Sequence, residues 1–117
     1  MPYMLLIAEP VGQRAERGVE EGQKVYAQML AFAEQLKGRG VLRGVESLAT
    51  DTTGVRVQVR EGRPRLVDGP FTEAKEMIGG FFVIDVATRD EAVAIATACP
   101  AAAWATVEVR ELGPCWA

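Results

Sequence analysis

The chain has 117 residues, 49% of them hydrophobic and 25% charged, the mixture of one soluble globular domain that can bury a core without disulfides or a metal. Thirteen basic against sixteen acidic residues leave a net charge of −3, which argues against nucleic-acid binding through bulk charge. There is no histidine, which excludes a His general base, a Ser-His or Cys-His nucleophile pair and any His-containing zinc site.

In chain order, Tyr3 to Ala8 is apolar on both alternating faces and reads as a central strand buried on both sides. Its apolar run follows no basic residue and closes at Glu9-Pro10, too short for a signal peptide core. No run of 18 apolar residues offers a membrane span, so a cytoplasmic bacterial-type protein is expected. From about Glu16 to Gly38, Val19, Val25, Tyr26, Met29, Phe32, Ala33 and Leu36 recur near a 3.6 period, which predicts an amphipathic helix. Gly38 and Gly40 stop it, and Gly18 and Gly22 blur its start.

Val41 to Leu48 reads as a short strand. Val55, Val57 and Val59 alternate with Arg56, Gln58 and Arg60, and a turn at Glu61 to Pro64 leads into Arg65 to Val67, a hairpin with one wet face. Gly80 to Val86 is again apolar on both faces, a second central strand. Thr88 and Glu91 have capping-box spacing, so a helix starts there and ends before Pro100. Trp104 to Arg110 alternates as a closing strand, with Glu108 and Arg110 on the face of Trp104, looking away from the helices. Leu112 to Ala117 reads as a short tail of the single domain, 1–117. Cys99 is expected in the core and Cys115 in the tail, and their spacing makes neither a disulfide framework nor a metal site.

Without the hairpin the order is β-α-β-β-α-β, the α+β split βαβ arrangement with both helices on one sheet face. Two helices leave the other face of the central strands uncovered. A second copy packed sheet to sheet is the expected cover, so a homodimer is predicted.

Asp68-Gly69-Pro70 has the makings of a tight turn, after which Thr72 is expected to cap one short helical turn ending at Gly79-Gly80. In that turn Glu73 and Glu76 would be i,i+3 neighbours beside Lys75. The stretch DGPFTEAKEMIGGFFVIDV, with the opening PYMLLI and the closing WATVEVRE, resembles the YCII-related family in its DGPF-motif branch. The resemblance covers most of residues 3 to 111. It implies a ferredoxin-like dimeric α+β barrel and a cytosolic protein. The His-Asp dyad of some relatives has no counterpart in a chain without histidine, so no enzymatic activity carries over.

Asp68 has two readings, a catalytic or ligand-contacting carboxylate and a turn former. Glu73, Lys75 and Glu76 either bind a polar substrate, with Asp68 a divalent cation, or form a solvated turn. Glu108 and Arg110 are either a structural salt bridge or a clamp for an anionic molecule. Three function classes follow: a small-molecule binder using the barrel interior, a cofactor-independent lyase or isomerase with a carboxylate base oriented by Arg110 or Lys75, and an interaction module. The last rests on the likeness of DGPF-type proteins to partners of alternative sigma factors. Neither a cofactor nor a metal is expected.

Overall fold

The computed structural model describes residues 2–116; Met1 and Ala117, the ends of the expected domain and tail, lie outside them. The elements run β1 (Pro2–Pro10), α1 (Gln13–Arg17), α2 (Val19–Gly38), β2 (Leu42–Ser47), a 3₁₀ turn (Asp51–Thr53), β3 (Val55–Arg60), β4 (Arg63–Asp68), β5 (Glu76–Asp85), α3 (Arg89–Ala98), a second 3₁₀ turn (Pro100–Ala103) and β6 (Thr106–Glu111). The main sheet is antiparallel with strand order β2-β5-β1-β6, the ferredoxin-like order, and β3 pairs only with β4 in a separate ribbon. The chain is thus mixed α+β, with β1 and β5 central as their two-sided apolar pattern requires.

Alternation sorts the central strands. Tyr3, Leu5, Ile7, Phe82 and Ile84 turn into one core with Phe32, Ala33 and Leu36 of α2 and Ala92, Ile95 and Ala96 of α3. Both helices therefore cover the same face. Met4, Leu6, Phe81 and Val83 fall on the opposite face and are only half-buried. The Thr88 half of the α3 cap forms as its spacing predicts, with Glu91 N donating to Thr88 Oγ1 at 3.2 Å, while the Glu91 carboxylate reaches one residue past the cap amide and accepts from Ala87 N at 3.0 Å. Cys99 closes that helix inside the core, where burial pushes its thiol pKa up, and Cys115 is exposed. No helix among the described residues is long and apolar enough to cross a membrane.

Three expectations change. The first helix is two helices, because Gly18 takes φ 82 and breaks the run between α1 and α2. The turn expected between Thr72 and Gly80 is not helical; β5 starts at Glu76, since cross-strand pairing of Met77 with Glu9 and Ile78 with Ala8 claims those residues. The hairpin has no dry face in the single chain. Val55, Val57, Val59 and Leu66 share one side of it, and all are at least half exposed because the ribbon projects from the body. Its root is held by Gly69 N donating to Gly54 O at 2.9 Å and Phe71 N donating to Asp51 Oδ2 at 3.2 Å.

Candidate functional site

At the Ile7 end of the sheet, β1 and β5 pair irregularly. Ile7 faces Gly80 but Ala8 faces Ile78, which leaves Gly79 as an extra residue in β5. Two close approaches demand glycine there. A Cβ on Gly79 would overlap Glu9 Oε1, and one on Gly80 would sit 2.8 Å from Glu46 O of the neighbouring strand. The sheet consequently lacks two side chains at this end, and α2 passes over a gap.

That gap is a cavity of about 550 Å³, the size of small-molecule sites in general. Its apolar wall comes from Val25, Tyr26, Met29 and Leu30 of α2 and from Phe82 and Trp104. Glu9 continues the inward parity of Tyr3, Leu5 and Ile7, so its carboxylate is carried to the cavity floor, where Glu9 is only 3% exposed. It is the one buried charged residue among those described.

A carboxylate removed from water needs a partner. Arg14 provides it from α1, donating Nη2 to Glu9 Oε1 at 2.7 Å and Nε to Oε2 at 3.0 Å, a two-pronged contact that fixes both planes. On the same short helix, Arg17 places its guanidinium carbon 4.6 Å from the Trp104 ring centroid and donates to Gln13 Oε1 at 3.1 Å. Gln13 Nε2 in turn donates to Trp104 O at 2.6 Å. Trp104 Nε1 is the one buried side-chain polar atom without a hydrogen-bond partner among the described residues. Glu46 also borders the cavity, but its pairing with Phe81 assigns its side chain to the helix-free face.

The residues singled out in the sequence lie elsewhere. Asp68 ends β4, exposed and paired with Val55 in the hairpin, and the carboxylate that organises the Asp-Gly-Pro turn is that of Asp51. Glu73, Lys75 and Glu76 are exposed; of these only Glu76 borders a second, shallower depression beside Asp51, Arg56 and Phe71. Glu108 and Arg110 form an exposed salt bridge at 3.1 Å on the helix-free face, opposite Leu6 and Met4. Trp104 does not share that face. The 3₁₀ turn at Pro100–Ala103 delays β6 to Thr106, so the indole lies against α1 instead. None of the six lines the large cavity.

The signal for the site was parity: a single acidic residue on the buried register of an apolar strand, followed within one turn of chain by two arginines three residues apart.

The profile of the YCII-related domain matches residues 1–115. The chain belongs to the YCII-related family. An uncharacterized protein of Rhizobium meliloti (strain 1021) is 34% identical over 74 residues, 63% of this YCII-related chain and 60% of that protein, so the chain matches about three fifths of that relative's length. Among solved structures, the 5-chloro-2-hydroxyhydroquinone dehydrochlorinase TftG from Burkholderia phenoliruptrix AC1100, in complex with 2,5-dihydroxybenzoquinone, superposes with a TM-score of 0.55 at 17% identity, covering 97% of this chain and 94% of that one. At that identity the likeness is one of fold.

Proposed function

We propose that this YCII-related protein, of the DGPF branch by its Asp68-Gly69-Pro70-Phe71 string, binds a small molecule with an apolar body in the cavity between α2 and the Glu9 end of the sheet. The observation that carries this reading is a largely apolar space of about 550 Å³ with a buried, paired carboxylate on its floor. The fold neighbour that holds a dihydroxybenzoquinone supports a compact cyclic ligand. Two free cysteines support a cytoplasmic location, where thiols stay reduced.

Gly22 gives a direct test. It borders the cavity at the end of the first turn of α2, and a Cβ there meets nothing within 4 Å. Gly22→Leu fills the space while replacing a poor helix former, so it is expected to gain up to about 0.8 kcal/mol in stability. It should abolish the rise in Tm that wild type shows with millimolar 2,5-dihydroxybenzoquinone or small aromatic acids. Equal Tm shifts in both proteins would remove the cavity from the account.

Glu9 favours a second reading, a lyase or isomerase with Glu9 as the carboxylate base, because it is the acidic side chain on the cavity floor. Arg14 takes one lone pair of each oxygen, so the proton would go to a lone pair the arginine leaves open. Solvent deuterium exchange into a bound cyclic ketone, lost in Glu9→Gln, is the expected signature.

A second copy of the chain is the proposed cover for the helix-free face. With strands about 4.8 Å apart and about 3.3 Å per residue, that face and the bare side of the hairpin present roughly 600 Å² in projection. This approaches the ~800 Å² per partner of a standard interface. Sedimentation at micromolar concentration should give a dimer, and a stable monomer would end the proposal.

A further inference from the structure

The ligand-binding reading leaves open what the short helix α1 contributes. Its five residues are set off by Gly12 at φ 90 and Gly18 at φ 82, and it sends three side chains, Gln13, Arg14 and Arg17, to the cavity end of the sheet. Two of them are cations. Among the charged residues lining the cavity on the helix-covered face only Glu9 stands against them, since the Glu46 side chain belongs to the other face, which leaves one net positive charge in that lining; Glu16, between the two arginines on α1, is exposed and outside it.

The guanidinium groups are also incompletely used. Each has five N–H donors. Arg14 spends Nε on Glu9 and Nη2 on Glu9 and, at 3.5 Å, on Gly79 O, and Arg17 spends Nη2 on Gln13, so Nη1 of each is without a hydrogen-bond partner among the described residues. Glu9 holds the Arg14 fork in one plane, and the Trp104 ring gives Arg17 a flat shelf. Beside them lies the unpartnered Trp104 Nε1 donor. Preformed donors with one surplus positive charge, next to an apolar chamber, define a chemical class.

Resting on the ligand-binding reading, we propose that α1 is an anion-recognition element, in which Arg14 and Arg17 together select a planar, apolar ligand bearing a single carboxylate or enolate group. Glu9 is then a positioning residue that aims Arg14. The apolar body enters under α2 and the anionic group stays at the mouth, where it keeps part of its hydration and meets the Nη1 amines.

The test compares benzoate with benzamide, which share shape but differ in charge, on the full-length protein. Binding is read from the Trp104 indole ¹H–¹⁵N cross-peak, with the exposed Trp116 indole as internal control. Benzoate is expected to bind about tenfold or more tightly than benzamide in wild type, and Arg17→Gln should bring the ratio within about threefold. Arg17→Lys, which keeps the charge and loses the fork, should restore part of it. Equal affinities in wild type, or an unchanged ratio in Arg17→Gln, would overturn the assignment of α1 while leaving the cavity a binding site. If neither probe moves the Trp104 signal, or if Gly22→Leu binds both as wild type does, the cavity reading fails and this one with it.

Discussion

The two halves of α2 carry the same amphipathic spacing and meet opposite fates. In the C-terminal half Phe32, Ala33 and Leu36 are buried, and Phe32 meets Phe82 edge to face with ring centroids 5.6 Å apart. In the N-terminal half Val19 is 80% exposed and Tyr26 52%, and Leu30, just past the midpoint but still over the cavity, is 50% exposed. The helix is not the cause. Under the C-terminal half the sheet offers Leu5, Phe82 and Ile84; under the N-terminal half it offers Gly79, Gly80 and a carboxylate tied to an arginine. The cavity arises from side chains the sheet lacks, and the glycines that remove them are fixed by Glu9 and by the β2 backbone.

This contrast is broken most severely at Leu36. Leu36→Ala removes a side chain that is 1% exposed and should cost about 2–5 kcal/mol, whereas Leu30→Ala, over the cavity, should cost less than about 1 kcal/mol. Urea denaturation of the two variants checks it. Similar losses would mean that the part of α2 over the cavity closes onto the sheet in solution.

Gly79→Ala comes next, because the added methyl competes with Glu9 for the same space. Overpacking is expected to cost about 1–3 kcal/mol. The variant should also lose benzoate selectivity, since Glu9 no longer aims Arg14. A stability loss with full selectivity would separate the bulge from the anion site. Smaller again is Trp104→Leu. It removes the shelf under Arg17, a partly exposed contact worth about 0.5–1 kcal/mol, and should weaken benzoate more than benzamide when both are measured by titration calorimetry, since the Trp104 reporter is gone.

How much of this was legible varies by region. The central strands, the hairpin and the α3 cap announce themselves through local pattern, because two-sided apolar runs, alternation and capping spacing each act within a few residues. The start of β5 does not. Glu76, Met77 and Ile78 are strand because Pro10, Glu9 and Ala8 pair with them, and no local signal reports a partner some seventy residues away. That is why Glu73 and Glu76 read as helix neighbours. The residues expected to form a site lie away from the cavity for a related reason. Asp68, Glu73, Lys75 and Glu76 stand out because they lie within one dense motif, but density is not a wall, and the chain sends them to an exposed segment. Glu9 was readable from its parity with Leu5 and Ile7. Arg14 and Arg17 gain meaning only when Gly12 and Gly18 fold α1 back over the sheet.

The smallest effect sharpens the comparison from the packed end. There Arg43 pairs with Asp85 at the end of β5, and both partners of this pair are open to water, where in the Glu9–Arg14 pair the carboxylate is buried. The hydrogen bond from Arg43, ahead of its charge, holds the Asp85 carboxyl below its usual 3.8. A carboxyl whose pKa is lower in the folded state stabilises the fold above the unfolded value, and that stabilisation is lost as pH falls through the folded value. The contribution should therefore be intact at neutral pH and fade from about pH 3.8 downwards. Arg43→Gln should flatten the acid limb of the stability curve slightly while leaving benzoate binding at neutral pH as in wild type. An exposed pair contributes little in any case. If Arg43→Gln shifted ligand affinity, the two ends of the sheet would be coupled through β5, and the independence of the packed half from the open half would have to be given up.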